Sequence, residues 1–102
     1  MNDAASARGA VRLSGYLRCA TVQEADQVRR HLPDHARLTR AEPGCISFEV
    51  VPTDDPLVWR VEEVFTDTAA CATHQRRTRA SAWWAATRQI ARDYSVTGLD
   101  PG

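Results

Sequence analysis

The chain has 102 residues, and its 13 Lys and Arg side chains balance its 13 Asp and Glu side chains. A chain of this length is predicted to form one domain with a single modest core, which excludes a second domain. Its balanced charge argues against nucleic acid and anionic membranes as partners, because binding to either is driven by a cationic surface.

The N-terminal residues and the cysteines indicate where the chain works. Residues 1–9 lack the apolar segment of a signal peptide and are expected to be a disordered tail. No stretch approaches the roughly 18 apolar residues that a membrane span needs. Cys19, Cys45 and Cys71 are odd in number and form no C-x-x-C motif, which argues against a disulfide framework or a zinc ribbon. A cytoplasmic protein is therefore expected.

The first two predicted elements are a strand and a helix. Apolar and polar side chains alternate along residues 10–20, which predicts a half-buried strand. Thr21 and Glu24 form a T-x-x-E capping box, which predicts a helix from about residue 22. Pro33 lies inside this helix, and we expect a kink or a restart near residue 32 because proline lacks an amide hydrogen and crowds the preceding turn. The sequence EPGC at 42–45 is expected to end the helix in a turn.

Two apolar runs joined by the loop PTDDP at 52–56 predict a β-hairpin. Opposite charges attract across neighbouring strands, so we expect Glu49 to lie opposite Arg60. The face that would pack against the core then holds Ile46, Phe48, Val50, Leu57, Trp59, Val61 and Phe65. The other face would hold Cys45, Ser47, Glu49, Val51, Val58, Arg60, Glu62 and Val64. Because its valines make this second face partly apolar, we expect it to be covered.

The C-terminal part completes the predicted fold. Thr66 or Asp67 is expected to cap a second helix that bends near residues 78–80 and continues through ASAWWAATRQIAR, before a short strand in DYSVTGLD. The order β-α-β-β-α-β predicts an α+β, ferredoxin-like sandwich over residues 10–99, with an antiparallel sheet and both helices on one face. The bare second face of such a sheet predicts a homodimer.

The most specific motifs run from Glu42 to His74. They are EPGCISFEV, the proline-containing hairpin loop, WRVEEVF and TDTAACATHQ, followed by S-x-W. Together they resemble the antibiotic-biosynthesis monooxygenase family, especially its small quinol-monooxygenase-like members, over about residues 10–98. The resemblance implies a dimeric α+β barrel with a pocket between the helices and the sheet of each subunit. For the active members it also implies oxygenation of phenolic, quinol or polycyclic aromatic substrates by molecular oxygen, without metal, flavin or haem.

The resemblance carries over to single residues unevenly. His74 matches the histidine of the family's last helical region, Glu63 matches its strand carboxylate, and Phe65 stands where many members have Trp. The haem-degrading branch has an Asn on the first strand, where this chain has Ser14, Gly15 and Tyr16. Haem breakdown is therefore disfavoured.

Oxygenation without a cofactor needs a site that holds a flat ring, takes up its proton, stabilises the anion and excludes water. His74 is the expected base, and Glu63 is the second candidate catalytic residue because a carboxylate on an apolar face needs a partner. The expected substrate-binding residues supply ring walls, a positive charge and a hydrogen-bond donor. They are Trp59, Phe65, Trp83, Trp84, Arg60 and Tyr16, with Arg76, Arg77 and Tyr94 as further candidates.

Three other interpretations stay open. His31 and His35 have the spacing of a metal pair, but Pro33 disturbs the turn and no third ligand is evident, so solvent exposure is expected. The arginines between residues 76 and 92 could mark a nucleic-acid surface, but at helical spacing they spread around the helix, and those up to Arg79 are expected to face water. A non-catalytic, dimeric module that binds a small ligand or regulates is the alternative function.

Overall fold

A computed structural model describes residues 9–98, which form a four-stranded antiparallel sheet and three helices. The elements are β1 (Val11–Arg18), α1 (Val22–Arg40), β2 (Cys45–Pro52), β3 (Val58–Phe65), α2 (Thr68–Arg79), α3 (Ala82–Thr87) and β4 (Ala91–Thr97). The strands lie in the order β2-β3-β1-β4, so the predicted α+β, ferredoxin-like fold is confirmed. The tail predicted for residues 1–9 falls, except for Gly9, outside the described residues. No helix within residues 9–98 has the length and apolar character needed to cross a membrane.

β1 is a central strand, and at Gly15 its backbone closely approaches that of β4. It pairs with β3 on one side and with β4 on the other. Gly15 has a φ of 152°, and a Cβ atom added there would lie 2.1 Å from the carbonyl oxygen of Asp93. A side chain at this position would therefore collide with the backbone of β4, so this backbone conformation requires glycine.

Helix α1 begins with the predicted capping box. Oγ1 of Thr21 accepts a hydrogen bond from the amide of Glu24 at 3.1 Å, and Oε1 of Glu24 accepts one from the amide of Ala20 at 2.7 Å. The helix then runs unbroken to Arg40 with Pro33 inside it, so of the kink or restart expected near residue 32 the restart is wrong. Buried side chains lie on both sides of Pro33, and their packing offsets the lost hydrogen bond. They are Ala25, Val28, His35, Ala36 and Thr39.

The hairpin forms with a register that differs by two residues from the predicted one. Glu49 lies opposite Glu62 and Val51 lies opposite Arg60. A shift of two residues keeps each side chain on its face, so the alternation of polar and apolar residues fits both registers equally well. The guanidinium of Arg60 still lies 3.6 Å from the carboxylate of Glu49, as a diagonal contact between exposed groups.

A β-bulge between Cys45 and Ser47 changes the start of β2. Cys45 lies opposite Phe65 and packs on the helix side of the sheet, whereas Ile46 is 52% exposed. The faces predicted for Cys45 and Ile46 are therefore wrong, because the extra residue of a bulge shifts the alternation by one.

The break between the last two helices is confirmed. Asp67 caps α2 and Ser81 caps α3, each by accepting a hydrogen bond from a backbone amide of the first helical turn. The helical structure ends at Thr87, earlier than expected, and β4 begins at Ala91. The side chain of Arg92 donates to the carbonyl oxygen of Thr87 at 2.8 Å, which stabilises this early end of α3.

The core lies between the sheet and the helices in two clusters. The larger cluster consists of Leu13, Leu17, Cys19, Ala25, Val28, Trp59, Val61, Trp83 and Ile90. The smaller cluster consists of Val11, Phe65 and Cys71. On β3 the two clusters are separated by Glu63, which is only 8% exposed. A buried carboxylate therefore lies where the two apolar clusters meet.

Candidate active site

A cavity of about 200 Å³ lies between the helices and the sheet, beside Glu63. Six of the side chains that line it carry rings: His35, Phe48, His74, Trp83, Trp84 and Tyr94. The polar remainder of the lining comprises Glu63, Gln75, Thr78, Arg79 and Arg92. A wall of this composition suits a flat aromatic molecule that carries a few polar groups.

His74 is buried on α2, and a carboxylate fixes its orientation. Nδ1 of His74 lies 2.9 Å from Oε1 of Glu42. Because an ionised carboxylate only accepts hydrogen bonds, Nδ1 carries a proton and donates it to this contact. Arg77 donates from Nε to the other carboxylate oxygen of Glu42, and from Nη2 to Oγ1 of Thr39 at 2.9 Å. Glu42 is thus held between a guanidinium and an imidazole, and the ring of His74 cannot turn freely.

The second ring nitrogen of His74 lies beside cavity-lining groups. Nε2 is 3.3 Å from Oγ1 of Thr78 and 3.5 Å from Oε1 of Glu63. In the neutral ring with its proton on Nδ1, Nε2 is an acceptor. A carboxylate that orients one nitrogen so that the other can act as a base is a recurring catalytic arrangement. His74 therefore has the geometry of a general base.

His35 is buried in the same wall, so the expectation that it faces solvent is wrong. Its ring stacks on Trp83 with centroids 4.7 Å apart and planes 1° from parallel, and it meets Phe48 edge-on at 5.4 Å. Burial, together with the nearby His74 and Arg77, lowers the pKa of His35 to about 3. The imidazole of His35 is therefore neutral at physiological pH.

The buried neutral state of His35 predicts a loss of stability in acid. The unfolded chain takes up a proton near the ordinary histidine pKa of about 6.5, whereas the folded chain does so only near its lowered pKa of about 3. The unfolded state therefore binds more protons between these values, and stability falls as the pH falls. The slope approaches about 1.4 kcal/mol per pH unit only below pH 6.5, so about 2 kcal/mol is lost from pH 7 to pH 5.

Urea unfolding of the wild type and of His35→Phe at pH 5, 6 and 7 measures this contribution. The Phe variant keeps a flat ring that does not titrate, so its stability should fall less over this range, by about the amount above. An identical pH dependence in both proteins would contradict the assignment.

Tyr94, Arg92 and Trp84 form a second group in the wall. The guanidinium of Arg92 lies 5.0 Å from the centroid of the Trp84 ring. Burial raises the pKa of the Tyr94 hydroxyl, so the group stays protonated and can donate a hydrogen bond. The cavity thus contains a guanidinium and a phenolic hydroxyl that can offset negative charge on a bound molecule.

The residues predicted from the sequence divide between this cavity and other places. His74, Glu63, Trp83 and Trp84 line it. The ring of Phe65 lies behind them and packs against His74, with centroids 4.8 Å apart. Trp59 lies in the larger core cluster instead, and its buried Nε1 has no hydrogen-bond partner within residues 9–98.

Tyr16 and Arg60 do not belong to the cavity. They lie opposite each other on β1 and β3, with side chains on the sheet face away from the helices. The alternation of side chains along both strands requires this placement. Arg77 also departs from expectation, because it is half-buried against Glu42 instead of facing water.

Residues of the site that were missed from the sequence include Glu42, His35, Phe48 and Arg92. Glu42 was assigned only to a turn, and it meets His74 across 32 positions of the chain, a contact that no local pattern reveals. His35 had a local signal, because it follows Leu32 by three residues and precedes Thr39 by four on the packing face of α1. Phe48 was predicted to be buried, but not to line a cavity.

The side chains of residues 9–98 give less support to metal binding or to catalysis by a cysteine thiol. Among residues 9–98, no three His, Cys, Asp or Glu side chains are placed to hold a metal ion together. Burial raises the pKa of the Cys19, Cys45 and Cys71 thiols, so none of them is an activated nucleophile.

Comparisons with known proteins agree with this fold. The family model for antibiotic biosynthesis monooxygenase matches residues 12–86. A conserved protein from Methanosarcina mazei Go1 superposes with a TM-score of 0.76 at 14% identity, covering 89% of this chain and 93% of that one. SnoaB, a cofactor-independent oxygenase from Streptomyces nogalater, gives 0.72 at 12% identity, covering 86% and 90%. Rv0793 from Mycobacterium tuberculosis gives 0.64 at 22% identity, covering 87% and 91%. No curated protein matches the sequence.

Proposed function

Because this chain belongs to the antibiotic biosynthesis monooxygenase family, we propose that it is a quinol-monooxygenase-like, cofactor-independent monooxygenase of a phenolic, quinol or polycyclic aromatic substrate. The observation that carries the proposal is the orientation of His74. Glu42 holds its Nδ1, and its Nε2 lies beside a cavity walled by aromatic rings. The same cavity without a base would indicate only ligand binding.

The reaction begins with proton removal by His74. Nε2 takes a proton from a ring hydroxyl or an activated ring carbon, and the electron-rich anion transfers an electron to molecular oxygen. The two radicals combine in a carbon–oxygen bond, and the resulting peroxide takes the proton back from His74. Loss of water then leaves a carbonyl, so that a CH₂ group and O₂ give C=O and H₂O. The substrate supplies all the electrons, and the protein moves one proton.

The other side chains position the substrate and balance its charge. Phe48, Trp83 and Trp84 provide the flat walls, while Tyr94 and Arg92 offset the negative charge of the anion. A carboxylate oxygen of Glu63 lies 3.5 Å from Nε2 of His74, so its negative charge stabilises the imidazolium that forms when His74 holds the proton. Glu63 therefore supports the base by stabilising its charged form.

The second face of the sheet favours a homodimer. Tyr16 is 38% exposed on this face, and Val51 and Val58 lie there half-buried beside charged side chains. Two copies joined sheet to sheet would cover these apolar groups and leave each cavity on the outer, helix-covered side. Sedimentation of the purified chain at micromolar concentration tests this association.

Oxygen labelling tests the proposed reaction. The protein is incubated under ¹⁸O₂ with 1-naphthol, 1,4-dihydroxynaphthalene and anthrone, and the products are analysed by mass spectrometry. We expect at least one of these compounds to gain one ¹⁸O atom, with the other atom in water, at a rate above that of the heat-denatured protein. Binding without turnover of any of them would favour the alternative, a non-catalytic module that binds a small ligand.

A further inference from the structure

The reaction scheme assigns no role to His35, although its ring lines the cavity. It is 4% exposed and is fixed from two sides by Trp83 and Phe48. Its centroid lies 5.9 Å from that of His74, so two imidazoles stand side by side in one wall. Nδ1 of His35 is buried and has no hydrogen-bond partner among residues 9–98. The burial of Nδ1 bears on which of the two ring nitrogens carries the proton of the neutral imidazole.

The surroundings of His35 determine which of its nitrogens carries the proton. A neutral imidazole has one N–H donor and one acceptor nitrogen. Nδ1 is closed off from solvent and from protein acceptors, so a proton placed there would be a buried donor without an acceptor. Unpaired buried N–H groups are rarer in folded proteins than unpaired acceptors, so we assign the proton to Nε2, and His35 offers an N–H group from that side of its ring.

The two histidines are then chemically opposite. In the neutral ring of His74, the contact with Glu42 favours the proton on Nδ1, which leaves the lone pair of Nε2 as an acceptor. His35 offers a donor from a ring whose plane is held by stacking on Trp83. A donor and an acceptor on neighbouring rings match an oxygenated aromatic ring, which has an oxygen to be bound and a proton to be removed.

We propose that His35 is a second substrate-binding residue, whose Nε2–H donates a hydrogen bond to a ring oxygen of the aromatic substrate next to His74. The assignment rests on the proposed function and makes it more specific, because it selects aromatic compounds with an oxygen substituent over plain hydrocarbons of the same shape. Since the lowered pKa keeps this ring neutral, it stabilises a developing phenolate without giving up its own proton. Removing the ring oxygen from the ligand should then weaken binding by the same factor as removing the N–H donor of His35 from the protein.

Binding of a matched pair of ligands tests the proposal. 1-Naphthol and naphthalene have the same ring system and differ by one hydroxyl, and both can be titrated under nitrogen against the tryptophan fluorescence of the protein. We expect His35→Phe to weaken the binding of 1-naphthol about 3- to 10-fold, the effect of one hydrogen bond, and to leave that of naphthalene within about twofold. His35→Gln retains an N–H donor and should recover part of the affinity for 1-naphthol.

His31→Phe is the matched control, since His31 lies on the same helix and does not line this cavity. It should leave both affinities unchanged. If His35→Phe weakened the binding of both ligands equally, the proposal would be overturned, because His35 would then contribute only to the shape of the cavity wall. Unchanged binding of both ligands would overturn it as well. The titration needs no oxygen, so a wild type that binds 1-naphthol but oxidises nothing would refute the proposed function and leave the role of His35 to be decided by the variants.

Discussion

Replacing His74 by alanine is expected to lower kcat on an accepted aromatic substrate by about 10²- to 10⁴-fold, the usual contribution of a general base. The variant loses the nitrogen that takes the proton, and it leaves the carboxylates of Glu42 and Glu63 without the ring between them. Initial rates of oxygen consumption at saturating substrate measure the loss.

His31→Ala is the control for this variant, because it removes a histidine that does not line the cavity. It should retain the wild-type rate. The affinity of His74→Ala for 1-naphthol should change much less than its turnover, since the aromatic wall remains. If His74→Ala folded, bound the substrate and turned it over at the wild-type rate, His74 would not be the general base.

Replacing Gly15 by alanine is expected to lower the free energy of unfolding by about 3–5 kcal/mol, as the sum of backbone strain and steric overlap. The new Cβ atom would lie 2.1 Å from the carbonyl oxygen of Asp93 and 2.9 Å from the Cα atom of Tyr94. Both are backbone atoms of β4, so the clash is relieved only by moving a strand. A fall in melting temperature of about 15 °C or more should follow in a domain of this size.

Gly9→Ala is the comparison for this prediction. A Cβ atom there meets only the carbonyl oxygen of Thr66, at 3.4 Å, which is near ordinary contact distance. Thermal unfolding followed by circular dichroism should place Gly9→Ala within a few degrees of the wild type. If the melting temperature of Gly15→Ala equalled that of Gly9→Ala, the close approach of β1 and β4 would not exist in solution.

Those parts of the fold that depend on local pattern could be predicted from the sequence. Three features each depend on a few neighbouring residues. They are the capping box of Thr21 and Glu24, the break before Ser81 and the alternation along β1. Their order then leaves few ways to bury the apolar faces. The hairpin register was not predictable in this way, since a shift of two residues preserves both faces of a strand.

The candidate site was predictable only in part, for a related physical reason. His74, Glu63, Trp83 and Trp84 were found because residue type and family resemblance point to them. Glu42 acts on His74 from a turn far away in the chain, and such contacts arise only when the helices pack on the sheet. Tyr16 and Arg60 were assigned by their chemistry alone, although the alternation already placed them on the other side of the sheet.

The irregular start of β2 also protects the sheet from unwanted growth. β2 is an outer strand, and the unpaired backbone groups of such a strand can template the addition of a strand from another molecule. The bulge at Cys45 interrupts the regular hydrogen-bonding pattern of β2 at one end. At the other end the strand stops at Pro52, which has no amide hydrogen. Only residues 47–51 between them are left as a regular edge, which limits the length over which a strand from another molecule could pair.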